Sequence, residues 1–363
     1  MKRIVFLWAL LWTAAAHAEK IVPTVDYRVE LLGIAARMAG FEEYSFDING
    51  DYAADIDREL GHMKDHALVG CMKHLREEYS ICYNAIPSLA VGIEWRDGRF
   101  ALIECDENLM DDRWGAVDKE HFLELLSAFY VESGFASFFE AHRPFYDRAV
   151  KVYEEQVMVQ FDPGWCSDFY GYAPSERYRI IIGCCNGPCN YGVAYRRRGE
   201  KKDIYAVIGC AVDEMGAVRY GGAAVSILIH EFNHSYANPL LDVDTPSGQS
   251  LVRSVGYLYQ TVWRTMQDEA YSEWESVLQE SLVRAITIIY LLDKDFPEEI
   301  VKDRLMYEID CGFRWMPELV SLMRKYRKKQ GRYETFEAFY PQVAAEFERI
   351  AAREKRRIER SIS

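Results

Sequence analysis

Basic side chains are scarce in this 363-residue sequence: 43 lysines and arginines face 57 aspartates and glutamates, a formal net charge of −14. So acidic a chain repels phosphate backbones and anionic headgroups, which argues against nucleic-acid binding and against attachment to acidic membranes. Its basic runs, Arg196-Arg197-Arg198 and the stretch 353–360, read as a hairpin turn and a solvated terminal helix. Long apolar runs are also missing beyond the first residues. The best later stretch, 281–292, is interrupted by Arg284, so no membrane span is expected. Internal repeats, heptads and low-complexity tracts are absent, which excludes solenoids and coiled coils. C-x-x-C pairs are missing from the nine cysteines, so Cys184-Cys185-Asn186-Gly187-Pro188-Cys189 lacks the spacing of a structural metal site. Disulfides or buried thiols are expected instead, with at least one cysteine unpaired in a monomer.

Residues 1–18 carry Lys2 and Arg3, then a short apolar run over 4–16, then Ala16-His17-Ala18, an A-x-A cleavage pattern. They read as a secretory signal peptide. The mature chain would begin at Glu19 and be exported, to the periplasm or the extracellular space. No cysteine follows the cut, so lipid attachment is not expected. With 50% hydrophobic residues the chain can bury a large core, in one large or two medium domains.

What the chain does have is the stretch 221–238, GGAAVSILIHEFNHSYAN. It holds His230-Glu231-Phe232-Asn233-His234, the pattern H-E-x-x-H. On an α-helix, residues four apart stack on one face, so His230 and His234 can place two imidazole nitrogens on one metal ion. Glu231, turned away by about 100°, can reach a water beside that ion. Two neutral nitrogen ligands, a general base and an open position are what metal-assisted hydrolysis needs. Residues 223–229 are small and aliphatic, suited to a buried helix. Phe232, Asn233 and Ser235 add no charge, and Pro239 follows where the helix should stop. His62, His66, His74, His121 and His142 have no comparable partners and read as structural or surface residues.

The motif resembles that of the zincin metallopeptidases. The metzincin extension would need glycine at 237 and histidine at 240, where this chain has Ala237 and Leu240. The resemblance then implies a gluzincin, whose third ligand is a glutamate on a later helix.

Helical periodicity marks 25–40, 51–75, 121–139 and 143–160, while 86–103 looks partly extended, with Asp97-Gly98 as a hairpin turn. Three strands are expected at 178–185, 191–197 and 203–210, directly ahead of the metal helix at 222–237. Residues 239–256 read as a loop and 265–292 as one long helix, with more helices over 297–328 and 333–360. On the long helix Glu269, Glu273, Glu280 and Arg284 recur at helical spacing. Glu280 lies against the aliphatic stretch 282–292 and is the first choice for third ligand, then Glu273, then Glu269. Asp242 or Asp244 is the aspartate alternative. Arg284, one turn on, either orients the Glu280 carboxylate or is an ordinary surface arginine.

The expected fold is α+β: zincin-like, mainly helical, with a small antiparallel sheet ahead of the H-E-x-x-H helix and a helical C-terminal half. The division is a signal peptide at 1–18, a mainly helical region at 19–165, and a zincin-like catalytic region at 166–363 with its sheet at 178–210. In that arrangement an edge strand lines the cleft and can pair with an extended peptide. The stretches DYRVELL (26–32) and SLAVG (88–92), the His66 region, the strands and HEFNHSYANP together resemble a family of exported bacterial gluzincin-type proteins. The resemblance implies hydrolysis of a peptide or protein substrate with one Zn²⁺ on His230, His234 and Glu280, and Glu231 as general base. Tyr236, Tyr257, Tyr259, Tyr271 and Arg284 are candidates for the donor to the oxyanion; composition does not choose among them. Two other functions fit. One is a zincin-fold binding protein without turnover, against which an intact Glu231 weighs. The other is a zinc hydrolase of a non-peptide bond, which would have a closed pocket in place of an accessible edge strand. Oligomeric state is left open.

Overall fold

The computed structural model describes residues 21–46, 50–173, 175–222, 224–241, 244–268, 271 and 273–362, so the signal-peptide reading of 1–18 lies outside the described residues. Helices dominate. Ahead of the motif come α1 (Tyr27–Met38), α2 (Gly50–Glu59), α3 (Ala67–Tyr79), α4 (Ala85–Val91), α5 (Lys119–Glu132), α6 (Phe135–Ala141), α7 (Arg143–Gln156) and α8 (Trp165–Tyr170). From the motif onward come α9 (Ala224–Ala237), α10 (Pro246–Asp268), α11 (Trp274–Asp293), α12 (Glu298–Asp310), α13 (Met316–Lys329) and α14 (Phe336–Ile362). The strands are β1 (Pro23–Thr24), β2 (Ile93–Arg96), β3 (Arg99–Leu102), β4 (Arg177–Gly183), β5 (Tyr191–Tyr195), β6 (Asp203–Gly209), β7 (Ala211–Val212) and β8 (Val218–Arg219). The protein is α+β. Among the described residues no single helix is long and apolar enough to cross a membrane.

The main sheet corrects the antiparallel expectation. Its order is β1-β4-β6-β5, with β1 and β6 parallel to β4 and only β5 antiparallel, set against β6 with Tyr191 opposite Val207. The three long strands lie where the pattern puts them, but the middle one in sequence goes to the edge. Their composition explains it. Ile180, Ile181, Ile182, Ala206, Val207 and Ile208 are at most 2% exposed, the unbroken apolar runs that inner parallel strands need. In β5, buried Tyr191, Val193 and Tyr195 alternate with Gly192 and Ala194, which reach solvent, as befits an edge.

Several helical expectations also change. The stretch read as a loop contains the start of α10, and the single helix expected over 265–292 is two, because α10 ends at Asp268 and α11 begins at Trp274. No glycine or proline announces the break. Tyr271 turns inward instead: its N–H donates to the Met266 carbonyl at 2.7 Å, and its hydroxyl accepts from Arg284 at 2.8 Å. A partly buried polar contact here overrides helix propensity. Farther back, the helix expected over 51–75 breaks at Gly61, where a 3-10 turn leads to His66, whose Nδ1 accepts the Leu68 N–H and caps α3. The 121–139 helix breaks at Gly134, whose φ is +67°. Residues 86–91 are not extended but belong to α4, buried along its whole length. The hairpin after it is as expected, with Asp97 and Gly98 at φ +54° and +81°, the turn that Asp-Gly favours. No disulfide is recorded among the described residues, and five of the nine cysteines are buried.

What matters for the site is the seating of two helices. α9 packs across β5 and β6 on one side and along α11 on the other. Phe232 stacks on Tyr178 of β4 with ring centroids 4.1 Å apart, and Tyr236 stacks on Tyr170 of α8 at 4.7 Å. α11 is buried almost all the way round from Val277 to Leu291, so a charged group on it lies inside the protein and must find partners.

Candidate metal centre

Two faces of α9 do different things. Val225, Leu228, Ile229, Phe232 and Tyr236 are buried in the core, while His230, Glu231 and His234 line a cleft of about 810 Å³. Across it α11 presents Glu280 and Arg284. The two imidazole Nε2 atoms are 3.3 Å apart. Glu280 Oε2 lies 3.5 Å from His230 Nε2, and Glu280 Oε1 lies 3.4 Å from His234 Nε2. A tetrahedral ion with ligand bonds of 2.0–2.1 Å separates its donor atoms by about 3.3–3.4 Å, so this donor set fits a zinc ion. Without a cation at their centre, two imidazole nitrogens and a carboxylate converge on one point with only protons to separate them.

The surrounding bonds orient these donors. Asn238 Oδ1 stands 3.2 Å from His234 Nδ1; with the proton on Nδ1, the Nε2 lone pair faces the cluster. His230 Nδ1 is buried with no hydrogen-bond partner among the described residues. Arg284 Nε donates to Glu280 Oε2 at 2.8 Å, its Nη2 to Tyr271 Oη at 2.8 Å, and its Nη1 to Glu308 of α12. Glu308 is fully buried and also pairs with Arg304 at 2.5 Å. The result is a row of alternating charge: Glu280, Arg284, Glu308, Arg304.

Burial and these neighbours shift His230, Glu231, His234 and Glu280. Burial holds His230 well below the ordinary histidine range. Burial opposes charge on His234 too, but the hydrogen bond and the charge of Glu280 outweigh it and push the residue up to about 9. Burial alone would raise Glu280; His230, His234 and Arg284 instead bring it well below the usual carboxylate range. Glu231 is pushed up to about 7 by burial, with the Glu280 charge adding to it. Its carboxylate lies against the β5 backbone: a Cβ on Gly192 would sit 2.4 Å from Glu231 Oε2.

The structure thus brings together His230, Glu231, His234, Glu280 and Arg284. Glu273 is left out, exposed and extended at the start of α11. Asp244 is exposed in the turn before α10, while Glu269 and Asp242 lie outside the described residues. Among the tyrosine candidates, Tyr271 lines the cleft, whereas Tyr236 is packed in the core. Sequence reasoning missed Glu308, Arg304, Asn238 and Gly192. Asn238 had a signal, four residues after His234 on one helix face; Glu308 had none, on a helix rich in exposed acids.

Among the described residues one further group of ligand-type side chains converges, Asp55, Glu59 and His142. It is already satisfied. Arg58 pairs with both carboxylates, and His142 Nδ1 is 2.8 Å from the Phe138 carbonyl while its Nε2 is 3.1 Å from Asp55. His142 therefore has more partners than its sequence context suggests.

No curated protein and no solved structure matches the chain. A family model does, over residues 21–345, and the chain belongs to that family, described as a domain of unknown function (DUF4932).

Proposed function

We propose that the protein is an exported, zinc-dependent metallopeptidase of the gluzincin type. The observation that carries this reading is the triangle of donor atoms on His230, His234 and Glu280, at 3.3, 3.4 and 3.5 Å, beside Glu231. A Zn²⁺ held by those three residues would supply a Lewis acid for a carbonyl and lower the pKa of water. Glu231 takes the proton of the attacking water and delivers it to the leaving amine. A carboxyl pushed up to about 7 suits a group that must both hold and release a proton near neutrality. Tyr271, whose hydroxyl lies between Arg284 and the Glu280 carboxylate in the cleft wall, is the candidate donor to a developing oxyanion.

The cleft favours a peptide over a small substrate. It runs along β5, with residues 190–194 in its wall, and β5 pairs with β6 as the edge strand of its sheet. An extended chain can add to such an edge through main-chain hydrogen bonds. The placement of Glu231 in an open cleft weighs against a purely structural ion, whose fourth position is normally closed.

Zinc content of the purified mature protein tests the reading, with Glu280→Ala, Glu273→Ala and Glu231→Gln alongside. About one zinc per chain is expected in the parent, in Glu273→Ala and in Glu231→Gln, and none in Glu280→Ala. Turnover of a peptide library should fall on the order of 10²–10⁴-fold in Glu231→Gln. A parent that takes up no zinc on reconstitution would leave the binding-protein reading ahead.

A further inference from the structure

Arg304 stands in the cleft wall with its charge only partly used. Its Nη1 reaches Ser226 Oγ at 3.4 Å. Ser226, His230 and His234 recur every four residues and share one face of α9. The guanidinium therefore sits beside the helical turn before His230, four residues and about 6 Å of helix rise from it. Its Nε pairs with Glu308, which it shares with Arg284, whereas Arg284 has Glu280 as a second anion. Although it approaches Glu308, that Nε is buried without a hydrogen bond among the described residues, and the side chain is only 16% exposed.

The charges point the same way. Glu280 and Glu308 cancel Arg284 and Arg304, and Glu176 cancels Lys202 elsewhere on the cleft wall. Glu231 and a divalent ion then leave one positive charge in a partly desolvated cleft, where an uncompensated cation is costly. A guanidinium offers paired N–H donors spaced for a carboxylate.

We propose that Arg304 is a carboxylate-binding subsite, and that the substrate is a peptide with an acidic side chain or free C-terminus one or two residues from the cleaved bond. An extended chain advances about 3.3 Å per residue, so a turn of helix spans that distance. This rests on the metallopeptidase reading above.

The test is binding of matched peptide hydroxamates to zinc-loaded protein, by calorimetry. One compound ends in a free carboxylate, one in a carboxamide, and one in a carboxamide with a glutamate side chain beside the hydroxamate. A carboxylate-bearing compound should bind about 10- to 100-fold tighter than the neutral one, and Arg304→Gln should erase the difference with zinc content unchanged. Preference for the free terminus alone assigns a terminal-carboxylate substrate; preference for the glutamate alone assigns an acidic-residue substrate. If Arg304→Gln loses zinc or unfolds, Arg304→Lys, which keeps a charge opposite Glu308, should still weaken the preference. Equal binding of all three compounds overturns the subsite and leaves the peptidase reading intact. Zinc-loaded protein that binds none of them overturns both.

Discussion

Gly192 and Glu231 compete for one volume. Because a Cβ at 192 would fall 2.4 Å from Glu231 Oε2, Gly192→Ala must push the carboxylate aside, which a flexible side chain can do without unfolding the strand. Zinc content should be unchanged while turnover falls on the order of 10²-fold, the scale of a misplaced catalytic group; steady-state kinetics beside a zinc assay separates the two. Glu30, which does not line the cleft, is a different case. It is buried, accepting the Cys184 N–H at 2.5 Å and the Tyr52 hydroxyl at 2.7 Å, and burial pushes it up to about 7. A carboxyl raised in the folded state binds its proton more tightly there than in the unfolded chain. Its stabilising effect is therefore complete below about pH 4.5 and lost as pH rises to about 7, roughly 3 kcal/mol over the window. Denaturant melts of Glu30→Gln should show a shallower fall than the parent between those pH values, and the same slope above them.

At the scale of elements, α12 supports α11 through one carboxylate. Glu308→Gln leaves Arg284 and Arg304 buried with half their compensation, a change that costs about 3–5 kcal/mol in broken buried pairs. Since Arg284 also holds Glu280, zinc affinity should drop about 10- to 100-fold as well. Chemical denaturation and competition with a zinc chelator measure the two effects. By contrast, Lys302→Ala on the same helix removes only an exposed pair with Glu298 and should leave the denaturation midpoint unmoved. The elements differ in how far local sequence specifies them. α9 is legible because its apolar run, its uncharged positions and the proline after it all agree. The break between α10 and α11 is not, because nothing local marks it; Tyr271 leaves the helix to meet an arginine that lies 13 residues on.

Across the whole molecule, an ion on His230, His234 and Glu280 would tie α9 to α11, two helices that already pack along each other. A ligand that binds only the folded state stabilises it by about 2.7 kcal/mol at a free concentration 100 times its dissociation constant. Calorimetry should show a lower melting temperature after chelation in the parent, and no response to the chelator in Glu280→Ala. The parent melting identically with and without zinc would remove the ion from the account of stability.

The α+β class, the positions of the three long strands, the Asp97-Gly98 turn and the H-E-x-x-H helix are all readable along the chain, because each depends on contacts within a few residues or on one repeating pattern. The burial of Glu280 is legible from its aliphatic surroundings, and a carboxylate on a buried helix must have partners. Tertiary structure alone decided the rest. The strand order placed β5 at the edge, beside Glu231, and the packing of α12 brought Glu308 and Arg304 to Arg284. Those contacts join residues distant in sequence through solvation and charge balance, which leave no local period to read.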